Sequence, residues 1–144
     1  MTDGELSIDG FSMFRSDRKG RVGGGVLLYI RSSIPVQSLS DVTDIGFEES
    51  AWCIPDLGRS TLVIGVCYRS PSNEELNNDR LLHVVVAASN YCNKKTAKSH
   101  LLLVGDFNYP EINFSHFMVE TNTESSAYKF FNITQDLFLY QYVD

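Results

Sequence analysis

Cysteine is scarce and carries no pairing pattern. Cys53, Cys67 and Cys92 are odd in number and widely spaced, with no CxxC pair, which speaks against a disulfide frame or a cysteine zinc site and for buried, reduced thiols. No apolar run reaches the roughly 18 residues of a membrane-spanning helix, and no charged start leads into an apolar signal segment. The expectation is therefore no membrane partner and a nuclear or cytoplasmic address. Positive charge is also short: Lys and Arg number 12 against 18 Asp and Glu, a net charge of −6. That argues against a general nucleic-acid binder, whose surface is ordinarily basic. Repeats, linkers and low-complexity tracts are missing. Of the histidines, His83 falls within an expected helix, His100 precedes a strand and His116 lies in a loop. None has the local setting of a catalytic imidazole. What remains is an ordinary globular composition, 43% hydrophobic and 21% charged over 144 residues, enough for one domain spanning 1–144 with its own core.

The charge is uneven. Arg15, Arg18, Lys19, Arg21 and Arg31 crowd one stretch that holds Asp17 as its only acid, and a local basic patch can attract phosphate on an acidic protein. The competing reading is a charged, solvated hairpin turn braced by Arg18 pairing with Asp17 or Glu49. Gly23–Gly25 is not a phosphate-cradling loop, lacking both GxxxxGK[ST] spacing and a place between strand and helix. Three glycines opening a strand point instead to a bulge or close backbone packing.

The chain reads as strands over 11–15 and 23–31, flanking a turn with Gly20, and as further strands over 36–44, 49–54 and 61–68, the last an apolar run. Trp52 reads as core. Ser72-Asn-Glu-Glu75 is a capping box, predicting a helix to about Tyr91, against which the Val84–Val86 run counts slightly. A second helix is expected over 125–135. Beyond it, Leu137, Leu139, Gln141 and Val143 share one face of a final extended segment. Strands with two helices between them predict a layered α/β sandwich.

Residues 101–110 read Leu-Leu-Leu-Val-Gly-Asp-Phe-Asn-Tyr-Pro. The apolar run predicts a strand buried on both faces. Where it ends, Asp106 and Asn108 are two apart, which in extended backbone sets both on one side with Phe107 turned to the core. A carboxylate beside an amide can hold a water, a hard cation or a phosphate. It can equally be an Asx turn closing a strand.

Five segments, 10–18 (Gly-Phe-Ser-Met-Phe-Arg-Ser-Asp-Arg), 23–31 (Gly-Gly-Gly-Val-Leu-Leu-Tyr-Ile-Arg), 49–52 (Glu-Ser-Ala-Trp), 65–72 (Gly-Val-Cys-Tyr-Arg-Ser-Pro-Ser) and 105–110 (Gly-Asp-Phe-Asn-Tyr-Pro), occur in that order. Together they resemble the endonuclease/exonuclease/phosphatase superfamily, in particular the apurinic-type endonuclease domain of non-LTR (LINE-like) retrotransposons. The resemblance implies two packed mixed β-sheets flanked by helices, with site loops along one edge, and metal-dependent cleavage of a DNA phosphodiester. It implies that Asp106 handles the water, that Asn108 and Tyr68 meet the scissile phosphate, that Arg69 adds a charged contact to it, and that Mg²⁺ is the cofactor, held through Asp106 and Asn108.

The same resemblance predicts an incomplete site. The family also uses an Asn and a metal-binding Glu before the Gly-Phe segment, and a C-terminal Ser-Asp-His. This chain begins Met-Thr-Asp-Gly-Glu-Leu and stops at Asp144, so it reads as the middle of such a domain, and neither Glu5 nor Asp144 matches the missing motifs. The expectation is little or no cleavage, since catalytic parts act as a unit. Two rivals stand beside it: a non-enzymatic fragment with weak nucleic-acid binding or self-association through unpaired terminal strands, and a phosphatase of the same superfamily.

Overall fold

The computed structural model describes residues 2–18, 20, 24–39, 42, 44–71, 74–95 and 98–142. A short helix α1 (Asp3–Leu6) precedes β1 (Phe11–Ser16) and β2 (Val26–Arg31), which pair antiparallel from Phe11↔Arg31 to Ser16↔Val26. Of the expected turn between them, Lys19 and Arg21 lie outside the described residues. Close packing explains Gly25: a Cβ there would stand 2.7 Å from the Ser16 carbonyl oxygen.

The central sheet has the order β3 (Val36–Gln37), β4 (Ser50–Pro55), β5 (Thr61–Tyr68), β6 (Ser99–Asp106). Its first three strands are antiparallel, and β5 runs parallel to β6 in the register Thr61↔Ser99 to Tyr68↔Asp106. A parallel pair needs a long crossover, supplied here by helix α2 (Glu75–Asn93). The helix starts after Glu74; the capping box at Ser72 falls outside the described residues. Its buried positions Asn78, Leu81, Leu82, Val85, Ala88, Ser89 and Cys92 follow helical spacing. Val84 and Val85 are only 1% and 0% exposed, so burial outweighs their modest helix propensity. A hairpin of β7 (Ile112–Asn113) and β8 (Met118–Val119) leads to α3 (Ser126–Asp136), capped by the Ser125 hydroxyl accepting from Tyr128 N–H at 3.1 Å.

Three layers result: α2 contacts β5, β6 and α3 on one side, and the β1–β2 hairpin contacts β4 and β5. This is a layered α/β architecture. Where two mixed sheets were expected, the described residues form one mixed sheet and two antiparallel hairpins. No helix among the described residues is long and apolar enough to cross a membrane.

The strand buried on both faces is β4, not β6. All six residues of β4 are buried, whereas β6 alternates, with Leu101 and Leu103 packed on the core and Leu102 and Val104 exposed. The reason is position: β4 has a strand on either side and the hairpin stacked on it, while β6 is the sheet edge with α2 on one face. Of the expected strand 36–44, Val36–Gln37 pairs with β4, and residues 40, 41 and 43 lie outside the described set. The segment 137–142 forms no strand. Leu137 and Leu139 pack on the core while Phe138, Tyr140 and Tyr142 are exposed, and Val143 is outside the described residues.

The core holds Leu81, Val42, Val63, Val85, Phe130 and Trp52. Cys53 and Cys67 are 0% and 1% exposed, and the described cysteines form no disulfide. Burial raises the Cys67 thiol from 9.0 to about 12 and Cys53 from 9.0 to about 11. A thiol harder to ionise when folded stabilises fully below pH 9, and that contribution is lost as pH rises from 9 towards 12, where the unfolded chain ionises first. The urea midpoint is therefore expected to fall between pH 8 and pH 11, and to fall less steeply in Cys67→Val. Parallel decline in both proteins would reject this assignment.

Candidate functional site

The carboxyl ends of β5 and β6 carry the residues singled out from sequence. Tyr68 and Asp106 end the two strands as direct cross-strand partners, and Arg69 N–H donates to the Asp106 carbonyl at 2.8 Å. Ligands in open α/β sheets bind outside the carboxyl ends of strands, because the chain must leave in loops there.

Asn108 reaches this place by a different route from strand alternation. The strand ends at Asp106; Asn108 N–H donates to Asp106 Oδ1 at 3.0 Å, and Asn108 has φ of +49°. This is an Asx turn with a left-handed asparagine, a conformation that short polar side chains tolerate. Asn108 Nδ2 then donates to the Arg69 carbonyl at 2.7 Å. The turn and the site are thus one structure: the Asx turn is what holds the amide beside the carboxylate. Phe107 does turn inward, its ring 5.0 Å from that of Phe130.

Arg69 is turned inward. It is 3% exposed, and its guanidinium donates to Asn78 Oδ1 at 2.6 Å, to the Asn108 carbonyl at 2.8 Å and to the Phe107 carbonyl at 3.4 Å. It lies 4.0 Å over the Tyr109 ring, a favourable placing for a cation. The Arg69 donors hold the loop that carries Asn108. Burial beside this cluster pushes the Tyr109 hydroxyl from 10.0 to about 12, against the opposing pull of the Arg69 charge.

Two groups not assigned to the site also reach it. Arg18, just after β1, lies 5.9 Å over the Tyr68 ring. Its Nε and Nη2 bond Glu49 Oε1 at 2.6 and 2.5 Å, with Glu49 6% exposed. Glu49 in turn accepts from Tyr68 N–H through its carbonyl, at 2.9 Å. Of the two partners open to Arg18, it takes Glu49; Asp17 is bonded by Arg15, which also meets Asp3. The described arginines of the basic stretch up to Arg18 are therefore already ion-paired. The sequence signal for Glu49 was its place just before β4, which antiparallel pairing puts beside the end of β5.

The electrostatics are lopsided. On the Arg69 side a cleft of about 390 Å³ is lined by Asn108 and Tyr109 and rimmed by Glu75, Asp79, Glu111 and Glu124 against the single Lys129, a net negative rim that disfavours polyanions. On the Tyr68 side stands Arg18. Glu49 balances the Arg18 charge there. Among the described residues no three His, Cys, Asp or Glu side chains converge. Asp106 is one exposed carboxylate, whereas Mg²⁺ is held by carboxylates at near-octahedral positions completed by water and phosphate. Asp106 and Asn108 are the described residues that would hold Mg²⁺, with waters and substrate phosphate completing the octahedron. His100 is the second residue of β6, six residues before Asp106 and so roughly 20 Å away along the strand. His83 is exposed on α2, and His116 bonds Asn113.

No family model, no curated protein and no solved structure matches this chain.

Proposed function

We propose that this chain is built on the frame of a metal-dependent phosphodiester-cleaving DNA endonuclease, of the endonuclease/exonuclease/phosphatase kind found in retrotransposons, and that it engages nucleic-acid phosphate while cleaving little or not at all. The observation that carries the reading is the pairing of Tyr68 with Asp106 at the ends of adjacent parallel strands, with Asn108 fixed beside them. The ordered segments from Gly10 to Pro110 supply the family.

In this reading Asp106 accepts the proton of an attacking water, and the Tyr68 hydroxyl and Asn108 amide hydrogen-bond phosphate oxygens. A positioned base contributes about 10²–10⁴-fold and preset dipoles often more. Mg²⁺ is the family's charge-neutralising group, and no step here is routed through it. Low activity follows from a single carboxylate with no imidazole beside it.

The test is nicking of supercoiled plasmid with Mg²⁺, comparing wild type, Asp106→Ala and an EDTA control, with DNA binding measured across salt. Expected are nicking at the Asp106→Ala background and binding that weakens as salt rises, further weakened in Tyr68→Ala. Nicking lost in both controls would reject the impaired site. Folded protein without low-salt DNA binding would reject the nucleic-acid reading, and phosphate release from small esters would favour the phosphatase. The second reading, a non-enzymatic fragment with weak nucleic-acid binding or self-association, predicts binding indifferent to Asp106 and Tyr68.

A further inference from the structure

Strand β6 has β5 on one side and, among the described residues, no strand on the other. The carbonyls of Lys98 and Asp106 accept from Thr61 N–H and Arg69 N–H at 2.9 and 2.8 Å, so the even-numbered residues aim their backbone groups at β5. Alternate residues in a parallel ladder bond opposite neighbours, and Leu101, Leu103 and Gly105 therefore aim theirs at the open edge. On the uncovered face Leu102 and Val104 are 45% and 48% exposed, flanked by exposed His100 and Asp106. Proteins usually blunt such an edge with proline, lysine or a short strand. This one runs eight residues with neither proline nor lysine.

We propose that this edge pairs with the same edge of a second copy of the chain, antiparallel, about a twofold axis at Leu103. A twofold axis perpendicular to the sheet keeps each face on its own side, so even-numbered residues must meet even-numbered ones. With the axis at Leu103, Leu102 faces the partner's Val104 and His100 faces the partner's Asp106, each twice by symmetry. Apolar then meets apolar, and a basic imidazole meets a carboxylate. Moving the axis to Leu102 would oppose His100 to an apolar valine. The backbone agrees: Leu101 and Leu103 supply the hydrogen-bonded pairs, which leaves Leu102 and Val104 at the closer, non-hydrogen-bonded positions. A second copy is the occupant because it brings a free edge of the same length whose charge pattern complements this one.

Association and the candidate site share Asp106. Leu102→Lys separates them, since it leaves Asp106, Asn108 and Tyr68 in place. Sedimentation of the full chain is expected to show a dimer at about 100 µM and one at least about tenfold weaker in Leu102→Lys, with unchanged circular dichroism. The register is read by disulfide trapping: Leu102→Cys with Val104→Cys together should link two copies under mild oxidation, and either alone should not. A folded wild-type monomer at that concentration, or an undiminished Leu102→Lys dimer, would overturn the proposal. Efficient linking by Leu102→Cys alone would overturn the register.

Discussion

Gly105→Ala is expected to cost more than about 4 kcal/mol, the range that single substitutions reach only through a hard clash or strain. Gly105 has φ of +144°, and a Cβ there would stand 1.8 Å from the Cys67 carbonyl oxygen, 2.8 Å from its carbon and 3.0 Å from its nitrogen. The clash is with backbone, not with a side chain that could swing away. Cys67 is Gly105's own partner in the β5–β6 ladder, so relief means parting the strands that carry Tyr68 and Asp106. Domains of this size keep only about 5–15 kcal/mol of net stability, and most of it would go. Urea unfolding followed by the fluorescence of Trp52, itself in the core, measures this directly. A variant within about 1 kcal/mol of wild type would show that the strands approach less closely than described.

Arg69→Ala is expected to cost about 3 kcal/mol or more, and to loosen the loop that follows β6. The side chain is a hub: it donates to Asn78, itself 4% exposed, and to the Phe107 and Asn108 carbonyls, while stacking on Tyr109. Removing it takes the guanidinium donor from the Phe107 and Asn108 carbonyls, each of which costs about 1–3 kcal/mol when buried without a donor, while Asn78 Oδ1 keeps the Tyr109 hydroxyl at 3.3 Å. Arg69→Lys keeps the charge but not the planar fork, so it should fall between alanine and wild type. Amide exchange at Phe107–Tyr109 is the second readout, because Asn108 is tied to the Arg69 carbonyl as well. If lysine matched wild type in both stability and exchange, the fork geometry would be irrelevant and only the charge would count.

These two residues show how the site could be read in part from the chain. Asp106 and Asn108 stood out because polar groups follow an apolar run, which is a one-dimensional signal, and Tyr68 stood out only through the resemblance of the ordered segments. Their meeting depended on Tyr68 and Asp106 ending parallel neighbours in register, which pattern alone does not state. Arg69 next to Tyr68 pointed to phosphate; its neighbours Asn78 and Tyr109 come from α2 and from beyond β6, and only packing reveals them. Arg18 and Glu49 were a guessed pair whose place beside Tyr68 depended on the β4–β5 register.

The chain by itself determined the periodic elements: the hairpin, the apolar β5, the helix after Glu74 and the helix after Ser125. Those follow from local spacing and, for the helix after Ser125, from its cap, which act within a few residues. It also set Trp52 and the three cysteines in the core and Phe107 inward. Tertiary structure decided which apolar strand is interior and which is the edge. An identical run of leucines and valine serves either place, and the difference lies in how many neighbours surround it. Hence β4 is sealed, β6 leaves Leu102 and Val104 in water, and Asp106 ends an open edge. Burial is a property of the assembled layers, and no single segment carries it.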